Sequence, residues 1–155
     1  MSSQLFQKIR EEKGLVYSIY SYPSSYTNAG FYTIYAGMKP ENLDLVISLI
    51  MEEVKDFKSK GITQDQLLKS KEQLKGNFIL GLESTSSRMN SIGKSELMLG
   101  RIYSPDEIIK NIDNITLENS LELIQDIFST DKMSFAAVGN IKRDFEINEL
   151  KKILL

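Results

Sequence analysis

Arg10 and Tyr17 are the side chains of this sequence whose types and spacing most readily suggest chemistry. They lie in the run Leu5-Phe6-Gln7-Lys8-Ile9-Arg10-Glu11-Glu12-Lys13-Gly14-Leu15-Val16-Tyr17-Ser18. A guanidinium can hold a peptide carbonyl or a carboxylate, and a phenol can donate a hydrogen bond to an oxygen on which negative charge develops. Leu5, Phe6 and Ile9 fall on one helical face, and Lys13-Gly14 reads as a last-turn cation followed by a left-handed cap. From Val16 to Tyr22 the chain turns β-branched and aromatic, so a helix feeds a strand. Arg10 and Tyr17 then project from opposite sides of one tight turn, where two polar groups could meet. Each residue also has a plainer reading. Arg10 can be a surface charge complementing the helix C-terminus. Tyr17 can be a strand tyrosine with a buried ring and a wet hydroxyl. On residue types alone the surface-charge reading of Arg10 is the stronger.

The elements that must position this pair follow from the rest of the chain. Leu15 to Tyr22 and Gly30 to Gly37 read as two strands of an antiparallel hairpin, joined by the turn-forming loop Pro23 to Ala29. Six of the 7 tyrosines (Tyr17, Tyr20, Tyr22, Tyr26, Tyr32, Tyr35) lie in or beside it, which lines one sheet face with amphipathic rings. Pro40 opens a helix whose apolar stripe runs from Leu43 to Phe57 and stops at Gly61. Thr63-Gln64-Asp65-Gln66 is a capping box for the next helix. The serines 84, 86 and 87 around Thr85 interrupt that helix before Arg88 to Leu99 resumes, giving two helices or a bent one. Ser104-Pro105-Asp106-Glu107 and Thr116 cap two more. Met133 to Val138 reads as a strand stopped by Gly139-Asn140, and the tail from Ile141 to Leu155 is ambiguous, a terminal helix being one reading of it. The expected fold class is α+β: a small, mainly antiparallel sheet with helices packed on one face, in a single domain spanning 1–155.

Composition narrows the function. With 155 residues, 41% hydrophobic and 26% charged, the chain is long enough to bury a core. A formal net charge of -2, with lysines scattered among acids, argues against nucleic acid as a partner. There is no cysteine, hence no thiol nucleophile, and no histidine, the commonest general base and transition-metal ligand. A self-contained zinc enzyme is therefore not expected. The absence of a membrane-length apolar run or a secretory leader points to a cytoplasmic location away from membranes.

Three motifs are set aside. Ile92-Gly93-Lys94-Ser95 imitates the end of a phosphate-binding loop, but Arg88 stands where a glycine is needed. Asn114-Ile115-Thr116 fits a glycosylation acceptor, yet Thr116 already has a capping role. The pairs Glu11-Glu12 and Glu52-Glu53 diverge around their helices and read as solvated faces.

The opening run, Lys75-Gly76-Asn77-Phe78-Ile79-Leu80-Gly81-Leu82-Glu83-Ser84-Thr85-Ser86-Ser87-Arg88-Met89, Gly100-Arg101 and Ala136-Ala137-Val138-Gly139-Asn140, taken in order, resemble the C-terminal-type half of the insulinase, pitrilysin and mitochondrial-processing-peptidase family. The resemblance spans nearly the whole chain. It implies that Arg10 anchors the backbone of a peptide substrate and that Tyr17 steadies the oxyanion formed as water attacks the scissile amide. It implies too that zinc sits in a complementary half carrying H-x-x-E-H, which this histidine-free chain cannot supply. The family places strands and a helix before the segment matching Leu5, so the resemblance makes this an incomplete processing-peptidase-like half-domain with Met1 internal. An uncovered sheet edge would then invite self-association into a homo-oligomer.

The expected function is that of the substrate-binding, non-metal half of a zinc-dependent endopeptidase, inactive without a zinc-bearing half or partner subunit. Two rivals stand beside it: a non-catalytic partner subunit or structural relative, and an interaction module whose tyrosine-rich hairpin binds an extended peptide.

Overall fold

The structure is a computed structural model that describes residues 3–141 and 146–154. The chain opens on a helix whose turns widen to i→i+5 hydrogen bonding over Phe6–Glu11; the Glu12 N–H, for example, donates to the Gln7 carbonyl at 2.9 Å. Gly14, at φ 62°, closes it. The Gly14 N–H donates to the Arg10 carbonyl and the Leu15 N–H to the Ile9 carbonyl, so the chain reverses into strand β1 (Val16–Ser25) within two residues.

β1 pairs antiparallel with β2 (Gly30–Met38), and the two form the sheet of the described residues. The hairpin is longer than the sequence predicts. The expected loop begins at Pro23, but Pro23 pairs with Tyr32 and the ladder continues to Ser25 opposite Gly30. Proline has no N–H to give a ladder and in sheets is found at strand margins and edges; Pro23 stands within the last three pairs before the connecting loop.

After a turn of 3-10 helix at Pro40–Asn42 come α1 (Leu43–Lys60), α2 (Gln64–Gly81), α3 (Thr85–Leu99), α4 (Pro105–Asp113), α5 (Leu117–Ile127) and α6 (Ile147–Leu154). The expected caps are present. Thr63 Oγ1 accepts from the Gln66 N–H at 3.2 Å while Gln66 Oε1 accepts from the Thr63 N–H at 2.8 Å, and Ser104 with Glu107 repeats the arrangement at 3.2 and 2.8 Å. Ser84 caps α3 through the Ser87 N–H, so the serine-rich stretch separates two helices. The imitation phosphate loop at 92–95 lies inside α3, with no loop to cradle a phosphate. The α+β class is as the sequence predicts.

Two compact units divide these elements. One holds the opening helix, the hairpin, α1 and the chain from Leu123 onward; the other holds Ile62–Glu122 and the hairpin tip Tyr26–Asn28. In the first, Ile9, Val16, Ile19 and Val46 form a buried cluster, with Ile9 and Val46 at 0% exposure. This cluster seats the opening helix and the inner face of β1 on α1. Ile47 and Met51 of α1 form a second cluster with Leu150 of α6. In the second unit, α2 meets α4 through Lys71 Nζ on the Asp113 carbonyl at 2.8 Å and Lys75 Nζ on the Asp113 carboxylate at 2.9 Å.

The expected strand over Met133 to Val138 is not formed. These residues are non-repetitive, pair with no strand among the described residues, and Val138 is fully exposed. Alternating apolar residues suit a strand, but a strand exists only where a neighbour accepts its backbone hydrogen bonds. Of the ambiguous tail, residues 147–154 are helical as α6, while 142–145 and 155 lie outside the described residues.

Candidate functional site

The turn carrying Arg10 and Tyr17 is held from below by three interactions. Ile9 and Val16 are buried against Val46 of α1 on either side of Gly14. Asn42 Nδ2, at the start of α1, donates to the Leu15 carbonyl at 3.1 Å, which pins the reversal itself. Lys8 Nζ reaches Glu53 Oε1 of α1 at 2.6 Å. Glu53 is only 16% exposed and its second oxygen is buried without a partner among the described residues, so the Lys8 ammonium is its counter-charge. This corrects the reading of Glu52-Glu53 as a solvated face: Glu52 is exposed, whereas Glu53 ties α1 to the opening helix.

The hydrogen bond to Glu53 is the main reason the Lys8 pKa is raised above 10.5, with burial acting the other way. A raised folded-state pKa means that Lys8 contributes its full stabilisation below the unfolded value near 10.5 and loses it as pH rises through the folded value. With Lys8 43% exposed, Lys8→Met should cost no more than about 1 kcal/mol at neutral pH. The deficit should shrink in alkaline solution above pH 10.5, as urea titrations at several pH values would register. A deficit that grows with pH would contradict this pairing.

Arg10 and Tyr17 each stand on an irregularity of the backbone. Arg10 lies in the i→i+5 turn, is exposed, and its guanidinium sits 4.9 Å from the centre of the Phe6 ring. The Phe6 ring supports the cation without consuming its hydrogen-bond donors. Tyr17 is the extra residue of a β-bulge: Val16 pairs with Met38 and Ser18 with Gly37, so Tyr17 and Ser18 together oppose one residue of β2. The burial pattern agrees. Val16 and Ile19 are both buried although three residues apart, a spacing that would put them on opposite faces of a regular strand. The bulge returns both to the core and turns Tyr17 outward, where it is 66% exposed. Among the described residues the Arg10 guanidinium has no carboxylate partner and the Tyr17 hydroxyl no hydrogen-bond partner. Wide helical turns and bulges recur where a side chain must be aimed rather than packed.

The hairpin sorts its tyrosines differently from the expectation of a single lined face. Tyr20 and Tyr35 oppose each other across the strands and stack with centroids 4.9 Å apart; Tyr22 follows on the same side, 6.0 Å from Tyr20. Tyr32 belongs to the inner face, where its hydroxyl donates to Ser21 Oγ at 2.8 Å and its ring meets Phe128 edge-on at 5.6 Å. Tyr26 lies in the connecting loop. The cause is the period of two, which deals successive residues to opposite faces.

On the inner side lies a cavity of about 570 Å³ lined by Tyr32, Ile34, Ile50, Met51, Met133 and Leu150, among others. Its charged lining residues, Asp126 and Lys132, are paired with each other, so it offers volume but no free catalytic group. Among the described residues no side-chain set is suited to hold a zinc ion. The sequence has no histidine or cysteine, and among the described residues no three carboxylates converge.

Residues 1–74 match the family described as the Peptidase M16 inactive domain. Over 131 residues, 84% of this chain and 32% of the relative, the sequence is 46% identical to the uncharacterized zinc protease YmxG of Bacillus subtilis (strain 168). The chain belongs to the M16 peptidase family, as its C-terminal, non-zinc type of domain. An uncharacterized zinc protease of Streptomyces coelicolor (strain ATCC BAA-471 / A3(2) / M145) is 36% identical over 142 residues, 92% of this chain and 31% of that protein. This M16 chain therefore spans about a third of the length of these relatives. Its fold is shared with a chain of complex III2 from Candida albicans (TM-score 0.83, 20% identity, 99% of this chain and 37% of that one).

Proposed function

We propose that this chain is the substrate-binding, non-metal half of a zinc-dependent endopeptidase that hydrolyses peptides, inactive until a zinc-bearing half, in the same protein or a partner subunit, completes it. The observation that carries this reading is the Arg10–Tyr17 turn: a cation and a phenol, both exposed and without polar partners among the described residues, presented by a wide helical turn and a bulge over a rigid base. Exposed polar tips on a well-anchored backbone suit groups that act on a ligand.

Activation of the attacking water belongs to the metal of the complementary half. What this chain supplies is binding and orientation. The Arg10 guanidinium donates to a backbone carbonyl of the extended peptide, with the Phe6 ring lying against it. The Tyr17 hydroxyl donates to the scissile carbonyl oxygen, a bond that strengthens as negative charge develops there. Neither residue needs to gain or lose a proton.

The fold alone does not decide between catalysis and assembly, since a chain of complex III2 shares it. The Arg10–Tyr17 pair favours the peptidase reading over a structural partner. A cytoplasmic location remains part of the proposal; among the described residues no helix is long and apolar enough to cross a membrane.

Steady-state kinetics on the assembled protein test the Arg10 role. Arg10→Ala should raise KM by about tenfold or more with a smaller change in kcat, since a charge-assisted hydrogen bond made in both ground and transition states is lost. Arg10→Lys should restore only part of the binding, because an ammonium lacks the planar fork. An unchanged KM in Arg10→Ala would remove Arg10 from the substrate site.

A further inference from the structure

The outer face of the hairpin combines three features that its role as a scaffold does not require. First, it is aromatic and exposed: Tyr17, Tyr20, Tyr22 and Tyr35 all face solvent, with Tyr20 and Tyr35 stacked as a cross-strand pair. Second, it has no charge. From Gly14 to Met38 the sequence contains no Asp, Glu, Lys or Arg, in a protein that is 26% charged. Neither β1 nor β2 carries a charged side chain on this face or the other. Third, its floor is lowered at Gly37. A Cβ there would stand 3.0 Å from Ser18 Oγ and 3.4 Å from the Tyr35 hydroxyl, so the Tyr35 ring lies against space that any side chain at 37 would fill. The bulge places Tyr17 on this same face beside Ser18, because two residues opposing one turn their side chains to the same side.

We propose that this uncharged tyrosine face, centred on the stacked Tyr20–Tyr35 pair beside Tyr17, is the subsite for an uncharged aromatic or aliphatic side chain of the extended peptide. The proposal rests on the reading of Arg10 and Tyr17 as the substrate anchor and names the class of substrate that anchor would serve. Tyrosine gives a large, rigid, amphipathic contact at little entropic cost, and its ring pairs with another ring or with an aliphatic chain. A charged side chain laid on this face would lose water without gaining a counter-charge, so the face selects against acidic and basic residues. Continuity with Tyr17 makes a peptide the occupant, since its backbone would be held at the edge of the same surface.

The test measures fluorescence anisotropy of fluorescein-labelled alanine–glycine peptides bearing one central phenylalanine, aspartate or lysine, bound to the full-length protein with a chelator present so that no probe is consumed. The phenylalanine probe should bind about tenfold more tightly than either charged probe. Tyr35→Ser should abolish that preference, whereas Tyr20→Phe and Tyr35→Phe, which keep the rings and report on folding, should retain it. Equal binding of the three probes, or a preference untouched by Tyr35→Ser, overturns the subsite. Arg10→Ala run in parallel separates the two readings. If it weakens every probe and no probe is preferred in the parent, the subsite fails while the anchor stands. If the preference persists in Arg10→Ala and vanishes in Tyr35→Ser, the subsite stands while the anchor fails.

Discussion

Replacing Tyr17 by phenylalanine in the protein assembled with its proposed zinc-bearing half is expected to lower kcat for peptide hydrolysis by about 10²-fold while KM stays within about twofold. The asymmetry is the informative part. In the role proposed for it, the phenol donates to an oxygen that is a weakly charged carbonyl in the bound substrate and carries a formal charge in the transition state, so the lost bond would be worth far more at the barrier than in the complex. Phenylalanine keeps the ring, and the ring is not packed: Tyr17 is 66% exposed at the bulge, and its hydroxyl has no partner among the described residues whose loss could disturb the hairpin. Folding should therefore be unaffected, which circular dichroism and a urea titration would verify. A kcat equal to that of the parent would dismiss Tyr17 from the reaction. An equal rise in KM and fall in kcat/KM would instead make it a binding residue.

Ile9→Ala is expected to destabilise the protein by about 2–5 kcal/mol, a large part of the stability of an ordinary domain. Ile9 is fully buried where the opening helix, β1 and α1 meet, among Val16, Ile19 and Val46, so truncation leaves a cavity bounded by three elements. The same position adjoins Arg10, and the Ile9 carbonyl accepts the Leu15 N–H that fixes the turn. Activity in Ile9→Ala should therefore be lost at temperatures where the parent still works, although Ile9 touches no substrate. Urea denaturation gives the magnitude. A cost below about 0.5 kcal/mol would mean that the cluster does not seat the turn.

Much of this arrangement is legible in the chain because the signals are local. Gly14 after Lys13, the Thr63–Gln66 and Ser104–Glu107 boxes and Pro40 each act within a few residues, and each is found where its chemistry places it. What is not legible depends on partners distant in sequence. Met133 to Val138 has the composition of a strand, yet no neighbour among the described residues takes up its hydrogen bonds. Glu53 reads as one of two surface acids until Lys8, 45 residues away, is seen to reach it. The bulge at Tyr17 has a visible signal: Val16 and Ile19 are both apolar at a spacing of three, where a regular strand needs two or four. The tyrosines were dealt to two faces by the period of two, which the pairing register fixes and a count of tyrosines does not.

In the proposed function this chain binds and orients a peptide but cannot hydrolyse it without a zinc-bearing half. The most direct measurement is to purify this chain and a zinc-bearing half separately and follow cleavage of an internally quenched peptide by each alone and by the two mixed. Turnover in the mixture should far exceed that of either half, and should fall when the added chain carries Tyr17→Phe. Turnover by this chain alone, or a mixture no faster than the zinc-bearing half by itself, would contradict it.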